Sequence, residues 1–256
     1  DGSLHVTDTS GAKMLDLTAA VAAASLDGNP VFSSDNTDLY YWQNYAIQSS
    51  SGTLMHVAVK AGSTPTKIAD KVSVPDLRVT DSALVYLQNV DIAGQFGDVY
   101  TANLDGTSPT ALNQKANVGG LQLINPSAKT WHAVHLSASM ADATNSPIVG
   151  TPMTGALTFG VATPSAAAVE TTIDSAVGAS QYEFADDGLD VAFIAGVNWN
   201  ATASNYVGAL KIFDVATQAQ AIGGVVGVSE LGPISNRTFF VNAPSAAMAG
   251  VYYIKY

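Results

Sequence analysis

Short apolar runs alternate along the whole chain with clusters of Gly, Ser, Thr, Asp and Asn. Runs of this kind between such residues predict β-strands joined by tight turns. One turn recurs almost unchanged: Gly-Ser-Thr-Pro-Thr-Lys-Ile at 62–68 returns as Gly-Thr-Ser-Pro-Thr-Ala-Leu at 106–112, 44 residues later (62 to 106). Each copy follows a strand-like run, 53–59 in the first case and 98–104 in the second. The chain is therefore predicted to consist of repeated β-hairpins.

A second pattern marks the start of each repeat. An apolar residue precedes a polar turn and a further apolar run, at spacings from 45 residues (79 to 124) to 60 residues (124 to 184). The apolar residues that anchor this pattern are Phe32, Val79, Ile124, Phe184 and Ile234. A period of ~40 to 50 residues with four strands in each unit is typical of a β-propeller blade.

We therefore predict one all-β domain over residues 1–256, a β-propeller of five four-stranded blades, with six blades as the alternative. Pairing of the N- and C-terminal strands is predicted to close the ring, because closure removes exposed sheet edges. One helix is expected, at 17–24, as a connector between blades. The predicted blades span 30–70, 77–114, 121–173, 181–223 and 231–256, and N-terminal strands at 4–7 and 14–17 complete the ring.

Two stretches resemble the repeats of the TolB-like, or WD-like, β-propeller family. Residues 182–194 read Tyr-Glu-Phe-Ala-Asp-Asp-Gly-Leu-Asp-Val-Ala-Phe-Ile, which is similar to the family's run of an apolar residue, Ser-Pro-Asp-Gly and Ile-Ala-Phe. Residues 97–100 with 104–106 are similar to its third strand and the Asp-Gly turn that follows. The resemblance implies a propeller and a role as a binding or scaffolding part of an exported bacterial protein. It identifies no functional residue.

Composition narrows the classes of partner. Lys and Arg number 10 against 21 Asp and Glu, so the net charge of -11 opposes binding to a nucleic-acid backbone. The absence of cysteine excludes disulfides, thiolate metal sites and a cysteine nucleophile. No apolar run reaches the ~18 residues of a membrane span.

The chain opens at Asp1, is poor in lysine and is rich in Ala, Ser and Thr. These features favour an extracellular, cell-surface or periplasmic bacterial protein whose signal peptide has been removed.

Histidine supplies little chemistry in this sequence. His5 and His56 occupy the same position of the repeat, after Leu4 and Met55, which indicates a shared structural role. His132 and His135 are three residues apart, so in a strand they point to opposite faces and form no common zinc site.

The densest acidic cluster is Asp186, Asp187 and Asp190. It suggests a Ca²⁺ site, but Asp and Gly are also the residues that tight hairpin turns select. Both interpretations stay open, and no cofactor is predicted.

The candidate recognition surface is the rim that carries the connections from the second to the third strand of each blade. Loops on a rigid scaffold commonly carry binding residues, and amides beside aromatic rings suit a neutral polar ligand such as a sugar. The alternative is that Asn and Ser simply populate loops. A long segment in the third blade, 139–155, is predicted to form one wall of this surface. The predicted rim residues are Tyr45, Asn89, Asp91, Asp142, Asn145, Asn198, Trp199 and Tyr206.

No motif for catalysis is present. The chain has no Gly-x-Ser-x-Gly elbow and no P-loop. We therefore predict no catalytic activity and a binding or structural module that mediates protein–protein interaction or surface assembly. The first alternative is a carbohydrate-binding, lectin-like propeller, although Trp42, Trp131 and Trp199 are not equivalent in the repeat. The second is a five-bladed glycoside hydrolase, which needs two facing carboxylates ~5 to 9 Å apart. The expected partner is thus a protein or a glycan.

Overall fold

A computed structural model gives the fold of the chain. It describes residues 2–7, 10–21, 30–91, 96–118, 121–124, 131–140, 154–162, 169–184, 190–200, 205–235, 238–243 and 250–255. These ranges contain β-strands and turns and no helix. Accordingly, no helix that could span a membrane occurs in them.

Twenty strands lie in the described ranges. Their bounds are β1 Gly2–Thr7, β2 Lys13–Val21, β3 Val31–Phe32, β4 Asp38–Ala46, β5 Ser51–Ala58, β6 Thr66–Ser73, β7 Arg78–Val79, β8 Leu84–Gln88, β9 Phe96–Ala102, β10 Thr110–Asn117, β11 Gln122–Ile124, β12 Trp131–Met140, β13 Thr154–Ala162, β14 Val169–Phe184, β15 Asp190–Asn200, β16 Asn205–Asp214, β17 Ala219–Val228, β18 Glu230–Ser235, β19 Thr238–Ala243 and β20 Gly250–Lys255.

The strands form four sheets in which neighbours along the chain pair with one another. The first has the order β1-β2-β4-β5-β6, with β3 also paired to β4. The second has the order β10-β9-β8-β7, the third runs from β11 to β17, and the fourth runs from β18 to β20. The pairings β3 to β6 and β7 to β10 are antiparallel, and each set has the four consecutive strands of a propeller blade. They confirm the strand patterns predicted for 30–70 and 77–114.

The chain divides into two compact units. The first unit comprises Asp1–Ala133 and Gly160–Val169, and the second comprises Val134–Phe159 and Glu170–Tyr256. The single domain and the five-blade count stay predictions.

In the first unit the core follows the period of two that a strand imposes. Tyr40 and Trp42 on β4 point to one side and pack in a cluster with Leu84 and Tyr86 of β8. Leu39 and Tyr41 point to the other side and pack with Val57. Because successive side chains of a strand face opposite sides of the sheet, the fully apolar run 39–42 serves two cores at once.

Three of the sheet repeats share a local irregularity that the sequence analysis did not find. A residue with left-handed backbone interrupts the second strand of the repeat or directly follows it, and a glycine lies on the facing part of the third strand. In each case, a Cβ atom on the glycine would stand 2.5 to 3.0 Å from the carbonyl oxygen of the residue before the left-handed one. The pairs are Asn44 with Gly52, Asn89 with Gly97, and Gly196 with Gly208. At Asn44 and Gly196 the strand ladder also shifts register, so the irregularity there is a β-bulge, whereas the ladder of β8 and β9 keeps its register up to Gln88.

The predicted boundary between the third and fourth blades is wrong. Residues 173 and 181 both lie inside β14, a continuous strand of 16 residues, and one seven-stranded sheet takes the place of two blades. The first sheet has two separate strands where the third sheet has β14. There, β2 and β3 each pair with a different part of β4: Val21 of β2 faces Gln43, and Phe32 of β3 faces Leu39. In the third sheet β14 makes both sets of contacts with β15.

Both predictions for the N-terminal segment need correction. The strands expected at 4–7 and 14–17 are confirmed as β1 and β2, but the helix expected at 17–24 is wrong over residues 17–21, which belong to β2. The ladder with β1, in which Leu4 faces Leu17, outweighs the helical preference of alanine. The predicted closure is also not found: in the described strands β1 and β2 join β4, and β18 to β20 join one another.

Candidate functional site

Two cavities occupy equivalent places in the repeat, one in each unit. Both lie at the bulged end of the second, third and fourth strands of a repeat. The larger, here called the glycine cavity, has a volume of about 540 Å³, and the smaller, here called the polar cleft, about 320 Å³. The glycine cavity is lined by Asp174, Ala176, Ala195, Gly196, Val207, Gly208, Ala209, Lys211, Val226 and Gly227. The polar cleft is lined by Asn44, Ala46, Ser49, Ser51, Gly52, Thr53, Asp70, Lys71 and Val90.

Strand register establishes the equivalence. Ala195 faces Ala209 in the third sheet as Gln43 faces Thr53 in the first. Each facing pair is followed along the second strand by the left-handed residue, which is Gly196 in the glycine cavity and Asn44 in the polar cleft. The fourth strands agree as well. Val228 faces Gly208 as Val72 faces Gly52, so Gly227 stands where the first sheet has Lys71.

The glycine cavity is open because the repeat lacks two side chains there. Gly196 and Gly227 have φ values of 62° and 77°, which glycine adopts without steric cost. Asn44 and Lys71 adopt φ of 53° at the same positions of the first sheet and place side chains along the polar cleft. Nothing lies within 4 Å of a Cβ atom built on Gly196. At Gly196 the missing side chain therefore leaves space that none of the described residues fills.

One charged pair faces the glycine cavity. The Nζ atom of Lys211 on β16 lies 2.7 Å from Oδ2 of Asp174 on β14, and the two side chains are 30% and 17% exposed. Burial by itself raises the pKa of Asp174, but the hydrogen bonds from Lys211 and from the backbone N–H of Ala176 outweigh it and hold the pKa below its usual value. The carboxylate of Asp174 is therefore charged near neutral pH. At the equivalent position the first sheet has Met55, so this charge is not a feature of the repeat.

The polar cleft contains a chain of hydrogen bonds. The amide nitrogen of Asn44 lies 3.5 Å from Oγ1 of Thr53, and this hydroxyl donates to Oδ1 of Asp70 at 3.0 Å. The Nζ atom of Lys67 donates to Oδ2 of Asp70 at 2.8 Å. The bond from Lys67 and then the bond from Thr53 lower the pKa of Asp70. Lys71 is exposed beside this chain.

The structure describes three of the predicted rim residues in the first unit. Tyr45 lies in β4, half-buried against the core, and Asn89 and Asp91 are exposed after β8. The amide nitrogen of Asn89 donates to Oδ2 of Asp98 at 2.9 Å. None of these three lines a cavity, although Val90 between the last two lines the polar cleft. Asp142 and Asn145 lie outside the described residues, as does most of the segment 139–155. A recognition role for these residues stays a prediction.

The assignment of Asn198, Trp199 and Tyr206 to a loop is wrong. The hairpin of β15 and β16 extends to Asn200 and Asn205, so that Trp199 faces Tyr206 across the ladder. The backbone ladder thus continues through the positions that were expected to form the loop.

An aspartate and a histidine of the first sheet have structural surroundings. Asp35 accepts hydrogen bonds from Oγ of Ser33 at 2.7 Å and from the backbone N–H of Thr37 at 3.0 Å, so it closes a turn. His56 lies 2.6 Å (Nε2) from Oδ1 of Asp38, beside the ring of Tyr40. These contacts agree with the structural interpretation.

No metal cluster is assembled in the part of the chain that the structure describes. Asp190 is buried at the start of β15, whereas Asp186 and Asp187 lie outside the described residues. Groups of three or more His, Cys, Asp or Glu side chains that could hold a metal ion are absent from the described ranges.

Comparison with known proteins gives structural likenesses only. No family model and no curated protein matches the chain. A puromycin-hydrolysing peptidase of Mycobacterium tuberculosis is 17% identical, over 87% of this chain and 35% of the peptidase, with a TM-score of 0.45. An oligogalacturonate lyase in complex with manganese is 14% identical, over 88% of this chain and 64% of the lyase, with a TM-score of 0.44. The β-propeller domain of the Trilobed protease from Pyrococcus furiosus is 10% identical, over 98% of this chain and 74% of that domain, with a TM-score of 0.43.

The three structures named above come from a peptidase, a lyase and a protease, and this finding contradicts the prediction of a non-enzymatic binding or structural module. That prediction is withdrawn, and its lectin-like and glycosidase alternatives are not carried further. The chain spans about a third of the length of the peptidase and less than two thirds of the lyase. With TM-scores below 0.5, these likenesses assign no activity to this chain. The separate expectation that it has no catalytic activity stays a prediction.

Proposed function

We propose that the second unit binds a small molecule in the glycine cavity. The ligand has an apolar body and at least one charged group, which Lys211 or Asp174 binds. The observation that carries this proposal is the cavity itself: about 540 Å³ of open space with a charged pair on an otherwise apolar wall. Ligand sites of proteins commonly have volumes of ~300 to 1,000 Å³, with mostly apolar walls and a few placed polar groups.

The repeat supplies a second argument. The glycines at 196 and 227 remove the side chains that Asn44 and Lys71 provide in the first sheet. Lys211 replaces an apolar methionine of the first sheet. The third sheet thus combines the loss of two side chains with the gain of one charge at a single place. A change that served packing alone would not add a charge to an apolar position.

Binding is tested with purified protein and a panel of small acids and amines that carry short alkyl or aromatic groups, by thermal shift and then by calorimetry. Gly196→Asn restores the residue of the first sheet, which tolerates left-handed backbone. This variant is expected to fold normally and to lose binding, because the amide occupies the cavity. Lys211→Met is expected to weaken binding of acids.

The matched control is Gly62→Asn, since Gly62 also has a left-handed backbone (φ 77°) with open space around its Cβ position, in an exposed turn. It is expected to bind as the unchanged protein does. Equal binding by the Gly196→Asn and Gly62→Asn variants would contradict the proposal. A panel in which no compound binds the unchanged protein would contradict it as well.

We also propose that the chain is a TolB-like propeller of five blades and that it is exported to the periplasm or the cell surface. The repeated turns and the two family-like stretches support the first proposal, and the low lysine and absent cysteine support the second. A crystal structure tests the blade count, and fractionation of the native cells tests the location.

A further inference from the structure

The polar cleft of the first unit has an unusual residue at its edge. Lys71 has a φ of 53°, a left-handed conformation that lysine rarely adopts, at a position where the third sheet has Gly227. Glycine satisfies the backbone of this bulge without strain. Unfavourable backbone conformations concentrate at functional sites, so the use of lysine here requires a reason in its side chain.

The side chain of Lys71 supplies a cation for a ligand. It is exposed at the polar cleft, and no ion pair joins it to another of the described residues. The neighbouring carboxylate of Asp70 is already held by Lys67 at 2.8 Å. The ammonium group is therefore available to an anion, and the paired Asp70 opposes that anion less than a free carboxylate would.

The remaining lining consists mainly of hydrogen-bonding groups. Asn44, Thr53 and Asp70 form one connected chain, and the hydroxyls of Ser49 and Ser51 lie 2.8 Å apart on another part of the wall. The carboxylate of Asp70 has lone pairs beyond those that Lys67 and Thr53 use, and it can accept from a ligand hydroxyl. The volume of about 320 Å³ lies near the lower end for ligand sites.

From these contacts we propose that the polar cleft binds a small hydroxylated organic anion. Its carboxylate or phosphate group pairs with Lys71, and its hydroxyl donates to the chain formed by Asn44, Thr53 and Asp70. This site is separate from the glycine cavity, shares no residue with it and does not depend on the function proposed for it.

Calorimetry with matched probes tests the proposal. Malate and succinate differ by one hydroxyl group, as glycerol 3-phosphate and inorganic phosphate differ by the glycerol. The unchanged protein is expected to bind malate more tightly than succinate, or glycerol 3-phosphate more tightly than inorganic phosphate. Only the first compound of each pair carries an alcohol hydroxyl. Lys71→Gly, which installs the residue of the third sheet, is expected to weaken that binding about tenfold or more, with a melting temperature equal to or above that of the unchanged protein. Lys60→Ala, which removes an exposed charge from the turn after β5, is expected to leave binding unchanged.

The possible outcomes distinguish binding at a specific site from attraction of the anion by the net charge of the protein. Equal loss with the Lys60→Ala and Lys71→Gly variants would show that net charge alone attracts the anion, which would overturn the proposal. Unaltered binding by the Lys71→Gly variant, or no preference for the hydroxylated probes, would overturn it as well. If the Lys71→Gly variant melts at a lower temperature, Lys71→Asn, which also tolerates left-handed backbone, takes its place with the same expected loss. The Gly196→Asn variant is expected to bind these anions as the unchanged protein does. The test of the polar cleft is therefore independent of whether the glycine cavity binds a ligand.

Discussion

At the scale of single residues, one close approach explains the glycine on the third strand of three repeats. The carbonyl oxygen that precedes the left-handed residue stands where a Cβ atom would lie, at 2.5 Å for Gly208, 2.8 Å for Gly52 and 3.0 Å for Gly97. Real Cβ atoms do not approach a backbone oxygen at the shorter of these distances. The left-handed residue and its facing glycine therefore depend on each other.

Alanine at these three positions is expected to destabilise the protein in the order of the distances. Gly208→Ala should cost the most, of the order of 1 to 3 kcal/mol for an overpacked site, Gly52→Ala less, and Gly97→Ala least. The free energy of unfolding in urea measures the series. Equal losses, or a neutral Gly208→Ala, would contradict the assignment.

The pattern of apolar and polar positions does not reveal these residues as a set. Asn44, Asn89 and Gly196 are different residue types, and a left-handed backbone leaves no periodic signal in the pattern of apolar positions. Alignment of the repeats on Gly52, Gly97 and Gly208 would have shown the pairs.

At the scale of strands and sheets, the pair of Lys211 and Asp174 joins β16 to β14 across β15. This pair connects two strands that share no ladder of their own, at the wall of the glycine cavity. Its contribution to stability depends on pH because the pKa of Asp174 is lowered on folding. A depressed carboxyl pKa stabilises the fold above the unfolded pKa of about 3.8 and loses that contribution as the pH falls through the folded value.

Asp174→Asn is expected to lower the free energy of unfolding by about 1 to 2 kcal/mol at pH 7, between the values for exposed and buried pairs. The difference from the unchanged protein should shrink as the pH falls below about 4. Urea unfolding at pH 7, 5, 4 and 3 measures it. Asp70→Asn, in the exposed pair with Lys67, is the control and should change little. A difference that is constant with pH would contradict this account.

The strand pattern of the first two predicted blades could be read from the sequence, because their turns contain Asp, Gly and Pro at regular spacing. The boundary at 173–181 could not. Residues 175–180 read Ser-Ala-Val-Gly-Ala-Ser and contain no proline or aspartate to end a strand, so β14 runs through them. Small residues permit either a turn or a strand, and the ladder with β15 selects the strand.

At the scale of the whole molecule, the first unit shows how two adjacent sheets are held together. Side chains of β4, β5 and β6 form one apolar cluster with those of β8. Hydrogen bonds reinforce this packing: the hydroxyl of Tyr40 donates to the carbonyl of Leu104 at 2.9 Å, and the backbone N–H of Val90 donates to the carbonyl of Lys71 at 3.2 Å. Apolar patterning predicted the strands that carry this cluster, but these long-range bonds leave no trace in local sequence.

Tyr40→Phe is expected to destabilise the first unit by about 1 kcal/mol, since it leaves the carbonyl of Leu104 without the hydroxyl while the ring packing is kept. Chemical denaturation measures the loss. Tyr45→Phe, at a half-buried tyrosine of the same strand, is the control and should be nearly neutral. Equal effects of the two changes would show that the bond to Leu104 contributes nothing.

The central claim is that the second unit has a ligand site in the glycine cavity. This cavity is open because Gly196 and Gly227 stand where the first sheet has residues with side chains. A crystallographic fragment screen tests it most directly, on the unchanged protein and on the Gly196→Asn variant. The account predicts fragments with an apolar body and a charged group in the glycine cavity of the unchanged protein, with the charged group at Lys211 or Asp174, and no fragment there in the variant. A glycine cavity that stays empty while fragments bind elsewhere on the protein would contradict it.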